Sequence, residues 1–166
     1  LGGYLALAYL EKYEENLAGI CLVNSSSFSD SEERKQQRNR IIRLAETHKE
    51  VFIRMAITNL FTPDSQALHK AEIENLIQTA KKIDSNALQA SLKAMRDRKD
   101  RTENLKNYNG KKLCIYGRQD PIIPFTESLK LISQAQIPAK RLDSGHMSWL
   151  EDKEQLNKLL TEFLSL

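Results

Sequence analysis

An aspartate and a histidine stand out, because each sits in a turn that closes a short β-prone run. Asp120 lies in Gly117-Arg118-Gln119-Asp120-Pro121-Ile122-Ile123-Pro124, directly after the run at residues 111–116. His146 lies in Ser144-Gly145-His146-Met147, 26 positions further on and directly after a second run at residues 137–143. If the two runs are neighbouring parallel strands, both side chains emerge at the C-terminal edge of the sheet, where functional groups of open parallel sheets collect. A carboxylate there can hydrogen-bond an imidazole, fix its tautomer and stabilise the imidazolium that forms when the ring takes a proton from a nucleophile. Such a pair is a general base together with the group that orients it.

Other reactive residue types carry blander readings. Asp-Pro is a common turn dipeptide in its own right, and a loop histidine is ordinarily just solvated. His48 and His69 fall on polar helix faces and read as surface residues. Ser25, Ser26 and Ser27 close an apolar run, and a polar loop leading into the following helices explains them better than a nucleophile does. The run Arg96-Asp97-Arg98-Lys99-Asp100-Arg101 reads as a solvated loop of mixed charge. Trp149 reads as an anchor for the last helix. No His, Cys and carboxylate cluster has ligand spacing, so no metal and no cofactor is expected.

The elements that must position Asp120 and His146 are legible in the periodicity. Residues 1–13 make a largely apolar helix that opens on Gly2 and Gly3, and Leu17-Ala18-Gly19-Ile20-Cys21-Leu22-Val23 reads as a strand buried on both faces. Residues 29–109 are polar-rich, with apolar positions at three- and four-residue spacing, and hold about four amphipathic helices and no strand-like run. Ile41, Ile42, Leu44, Val51, Phe52, Met55 and Ala56 mark their first stripes, then Ile73, Leu76, Ile77 and Ala80, then Leu88, Leu92 and Met95. Thr62 is the expected N-cap of a helix with Pro63 at its first position, and Asp84 or Ser85 caps the next. From Lys111 the pattern becomes strand, helix (125–135), short strand and a closing helix with Leu150, Leu156, Leu159, Leu160, Phe163 and Leu164 inward. The fold class is therefore α/β, with parallel strands joined by right-handed crossovers.

Composition narrows the function classes. With 166 residues, one unit or one unit plus a cap is expected. Twenty-five basic against 22 acidic residues give +3, and the charges are interspersed, so no nucleic-acid partner is expected. Cys21 and Cys114, the two cysteines, sit inside strand-like runs. They read as buried free thiols in a reducing compartment, which favours the cytoplasm. No apolar run approaches the roughly 20 residues of a membrane span, so no membrane partner is expected.

Three stretches, in order, resemble the α/β-hydrolase fold family, serine hydrolase branch. Leu1-Gly2-Gly3-Tyr4 resembles the residues after the nucleophile in the elbow G-x-S-x-G, with Leu1 as the second x and Gly2 as the last glycine. Gly117 to Pro124 resembles the family's acid turn, and Ser144-Gly145-His146 its histidine loop. The resemblance implies the C-terminal part of such a fold: parallel strands 6 to 8 with flanking helices, carrying a helical lid insertion. Residues 1–28 would be the core αβ segment after the elbow, 29–109 the lid, and 110–166 the core segment with the acid and the histidine. It further implies Asp120 and His146 as triad members, and the backbone N–H of Leu1 as an oxyanion donor in a longer protein whose serine stands just before Leu1. The implied function is hydrolysis of a small, fairly apolar ester, thioester or related acyl substrate. Without the serine the chain alone would be inactive, and it would self-associate or pair with the missing N-terminal part. The alternatives are a relative with an Asp nucleophile (dehalogenase or epoxide hydrolase) and a non-catalytic helical interaction module.

Overall fold

A computed structural model describes residues 1–165. The chain forms two compact units: Gly2–Phe28 with the chain from Asp100 onward, and Ser29–Lys99 together with Leu1.

The first unit is a parallel sheet with helices on both faces. Its strands, β1 (Gly19–Val23), β2 (Lys111–Gly117) and β3 (Ala139–Leu142), lie in the order β1-β2-β3. Leu22 is paired with Cys114 and Tyr116 with Arg141. Alternation along the strands splits the apolar residues between two cores. Ile20, Leu22 and Cys114 pack with Leu7 and Leu10 of α1 (Gly2–Tyr13) and with Leu105, Leu131 and Ala135 of two later helices. On the other face Ile115 and Leu142 pack with Leu156 and Leu159, and Cys21, Val23 and Leu113 lean against them.

The two cysteines are free and belong to opposite faces of the sheet. A bridge would need one strand to flip its pleat. Burial pushes the Cys21 thiol up to about 11 and the Cys114 thiol up to about 12. At pH 8 the reactive thiolate is therefore on the order of 10⁻³ or less of each. A disulfide-exchange reagent should label neither in the native protein over minutes and both in guanidinium; fast native labelling would contradict this burial.

The second unit holds α2 (Glu32–Thr47), α3 (Lys49–Thr58), α4 (Pro63–Leu68), α5 (Lys70–Lys81) and α6 (Ser85–Arg96). Caps at its boundaries follow the sequence. The Thr62 side chain accepts from Ser65 N with Pro63 in the first turn, and Asp84 accepts from Asn86 N and Ala87 N. The buried stripes are narrower than periodicity suggests. Ile42, Phe52, Ile73, Ile77 and Leu92 are buried, whereas Val51 and Met55 are exposed.

Three sequence expectations need correction here. The charged run at 96–101 is not wholly solvated: Arg98 is buried, and its Nη1 stands 2.7 Å from Oδ1 of Asp30, a buried carboxylate that also pairs with Arg34 and Arg38. A buried carboxylate requires such partners. Neither His48 nor His69 lies on a helix face. His48 separates α2 from α3 and is exposed; His69 separates α4 from α5 and is half-buried, its ring 6.1 Å from that of Phe61.

The helical segment also ends sooner than residue 109. In the sheet unit, α7 (Thr102–Asn107) is tied by Arg101 N to Ser27 O and by Thr102 Oγ1 to Ser27 Oγ, and it buries Leu105 in the α1 core. Among the described residues no helix is long and apolar enough to cross a membrane.

Candidate active site

The tips of β1, β2 and β3 carry the site. Gly117, the last residue of β2, admits no side chain, since a Cβ would stand 2.4 Å from Gly145 O and 2.5 Å from Ser144 O. This close approach lets Arg118 N reach Leu142 O at 2.9 Å and Gln119 N reach Ser144 O at 3.0 Å, which carries the strand pairing into the loops. We expect Gly117→Ala to destabilise the fold by about 1–3 kcal/mol through this overlap. A urea midpoint equal to that of the unmutated protein would contradict the geometry.

The chain then turns at Asp120, whose side chain directs the turn. Its Oδ1 accepts from Ile122 N at 2.7 Å and Ile123 N at 2.9 Å, the local pattern that suits aspartate to such positions. Its Oδ2 is left facing His146 Nδ1 at 2.8 Å. The Asp120 side chain is 2% exposed and that of His146 24%, so the acid is sealed while one side of the ring stays open. An ionised carboxylate only accepts, so Nδ1 carries the proton of this bond and Nε2 has the lone pair. Such an arrangement can serve as a general base whose tautomer is fixed by a buried acid.

The serines after β1 are engaged locally. Ser25 Oγ donates to Val23 O at 2.8 Å, Ser26 Oγ accepts from Phe28 N, and Ser27 is bonded to Thr102. Among the described residues no hydrogen bond joins any of them to His146. Leu1 precedes α1 and is 51% exposed. Trp149 is also 51% exposed, in α9 (Ser148–Glu151), and is not buried under the closing α10 (Lys153–Leu164) as its anchor. No group of three or more His, Cys, Asp or Glu among the described residues could hold a metal ion.

Sequence reasoning passed over one residue of this cluster. Asn24, just past β1, is 6% exposed and has φ 44°, one of two non-glycine residues with positive φ among the described residues. Its Oδ1 accepts from Gly117 N at 2.7 Å; its Nδ2 donates to His146 O at 2.9 Å, Ser148 Oγ at 2.6 Å and, more weakly, Gly145 O at 3.2 Å. The available signal was an Asn ending an apolar strand, the type that best tolerates left-handed backbone.

This chain is similar throughout its length to solved hydrolases. An esterase from Thermogutta terrifontis, solved with malate bound, is 27% identical with a TM-score of 0.86, over 99% of this chain and 61% of its own. The α/β-hydrolase enzyme MGS-M2 from a Medee basin deep-sea metagenome library is 20% identical with a TM-score of 0.82, over 99% and 62%. The chain has the α/β-hydrolase fold. The enol-lactonase from Burkholderia xenovorans LB400 shares the α/β-hydrolase fold at 18% identity and a TM-score of 0.86, over 99% and 63%. No protein-family model and no curated protein matches the sequence. The chain thus spans less than two thirds of the length of these solved structures, and it shares with them an α/β fold with a parallel sheet and flanking helices.

Proposed function

We propose that the chain is the C-terminal part of a serine hydrolase that cleaves an ester, thioester or related acyl bond in a small, fairly apolar substrate. A serine immediately before Leu1 attacks the acyl carbon, His146 Nε2 takes its proton and returns it to the leaving group, and Asp120 holds the ring and steadies its positive form. The N–H of Leu1 is one oxyanion donor, and the helical unit at 29–99 is the lid. The observation that carries this is the 2.8 Å bond between His146 Nδ1 and a buried Asp120 whose second oxygen is held by two backbone N–H groups.

The start of α1 supports the serine's place. A Cβ on Gly3 would stand 2.4 Å from Ser25 Oγ, so the first turn of α1 abuts the tip of β1. Next to Ser25 is Asn24, which is bonded to the backbone of His146. An elbow leading into α1 therefore enters at the sheet edge where the imidazole stands. Neighbours named as an esterase and an enol-lactonase support acyl chemistry.

The partners proposed are the small-molecule substrate and the preceding part of the protein. That part would cover the outer edge of β1 and the exposed stripe Leu5, Tyr9 and Tyr13 on α1. Two free thiols set within the sheet suit a reducing compartment, and the cytoplasm is the proposed location.

Turnover of p-nitrophenyl acetate tests the proposal. A protein extended upstream through the elbow should hydrolyse it well above background, while the 166-residue chain should not. Activity of the 166-residue chain that is lost on replacing Ser25, Ser26 or Ser27 would overturn the assignment of the nucleophile.

A further inference from the structure

We propose that Asn24 is a positioning residue of this site: its carboxamide clamps the tip of β2 to the histidine loop and thereby sets where His146 stands. The inference rests on the proposed role of His146. Asn24 touches neither reacting atom, and acts on the base through the backbone that carries it.

The orientation of the carboxamide is dictated by its partners. Gly117 N is a donor, so the atom 2.7 Å from it must be Oδ1; Gly145 O and His146 O are acceptors, so the atom facing them must be Nδ2. One side chain just past β1 thus binds the residue that ends β2, just ahead of the acid turn, and the main chain of the base itself. Asn24 N adds a bond to Ile115 O at 2.9 Å, which pins the clamp to the sheet. The loop is fastened from below as well, since Ser148 Oγ lies 2.7 Å from Ser144 Oγ and donates to Gly145 O at 3.2 Å.

No other residue type meets all these demands. The position needs left-handed backbone, which Asn tolerates better than other residues with a Cβ. It also needs an acceptor and a donor on one short planar group. Asp would keep the acceptor for Gly117 N but aim a lone pair at two carbonyls; Gly would suit the backbone and lose every side-chain bond. Displacements of about 1 Å at a catalytic group can cost on the order of 100-fold in rate, so a clamp on the base's own peptide has a kinetic signature.

The test uses Asn24→Gly, Asn24→Asp and Ser148→Ala in the full-length protein. It follows kcat and KM for p-nitrophenyl acetate, and the low-field proton resonance of His146 Nδ1–H. Glycine adopts the local φ without strain, so Asn24→Gly isolates the side chain. We expect both Asn24 variants to lower kcat on the order of 10- to 100-fold, with KM altered less than about threefold. The Nδ1–H resonance should shift or broaden. Ser148→Ala, which removes one partner of Nδ2, should move both readouts the same way by a smaller amount. An Asn24→Gly protein that folds with kcat within about twofold of the parent and an unmoved resonance would overturn the proposal. Should neither Asn24 variant fold, an unmoved kcat and resonance in Ser148→Ala would overturn it instead. If His146→Ala leaves turnover intact, it is the proposed role of the base that fails; the resonance then still decides whether Asn24 positions the ring.

Discussion

Replacing His146 by alanine in the full-length protein should lower kcat by on the order of 10³ or more while leaving KM nearly unchanged. The ring is the one proton acceptor that Asp120 orients, and no serine hydroxyl among the described residues is hydrogen-bonded to it as a second site of chemistry. With the imidazole gone, the proposed serine must lose its proton to water. The ring is part-exposed at a loop, so its removal leaves both cores of the sheet intact, and the melting curve should stay cooperative.

Asp120→Asn should cost a similar factor by a different route. Two backbone donors, Ile122 N and Ile123 N, hold Oδ1, so an asparagine would keep its carbonyl oxygen there and turn its NH2 toward His146 Nδ1. Two donors cannot face one another. Nδ1 would become the acceptor, the proton would move to Nε2, and the nitrogen meant to receive the serine's proton would already hold one. The turn keeps both of its backbone bonds, so stability should change little while kcat falls by on the order of 10³ or more. Losses of less than about tenfold for both His146→Ala and Asp120→Asn would remove the pair from the mechanism.

How far the sequence reveals this arrangement depends on how local the physics is at each point. β1 and β2 were legible because apolar runs closed by Asn24 or Gly117 have few other solutions, and the helix at Phe125–Ala135 because prolines precede it and its apolar face is regular. Asp120 and His146 were legible because each comes after a strand by a fixed short turn, so that two parallel neighbours bring their tips together.

Packing between distant elements was not legible. Charge density hid Arg98, because its burial depends on Asp30, far earlier in the chain. Polarity assigned residues 102–107 to the helical insertion, but Leu105, buried against α1, draws α7 to the sheet. Leu164 fits the inward stripe of α10 by spacing and is nonetheless 79% exposed, since the core on that face ends near Leu160. Asn24 escaped notice because its partners come from the end of β2, from the loop after β3 and from α9.

The most direct measurement is covalent trapping of the nucleophile. The full-length protein would be treated with a fluorophosphonate, which reacts with a hydroxyl only where a base activates it, and the modified residue located by peptide mass spectrometry. One adduct on the serine directly before Leu1, formed quickly in the parent and on the order of 10³-fold more slowly in His146→Ala, is the predicted result. An adduct on Ser25, Ser26 or Ser27, or labelling at the same rate with and without the His146 imidazole, would contradict it.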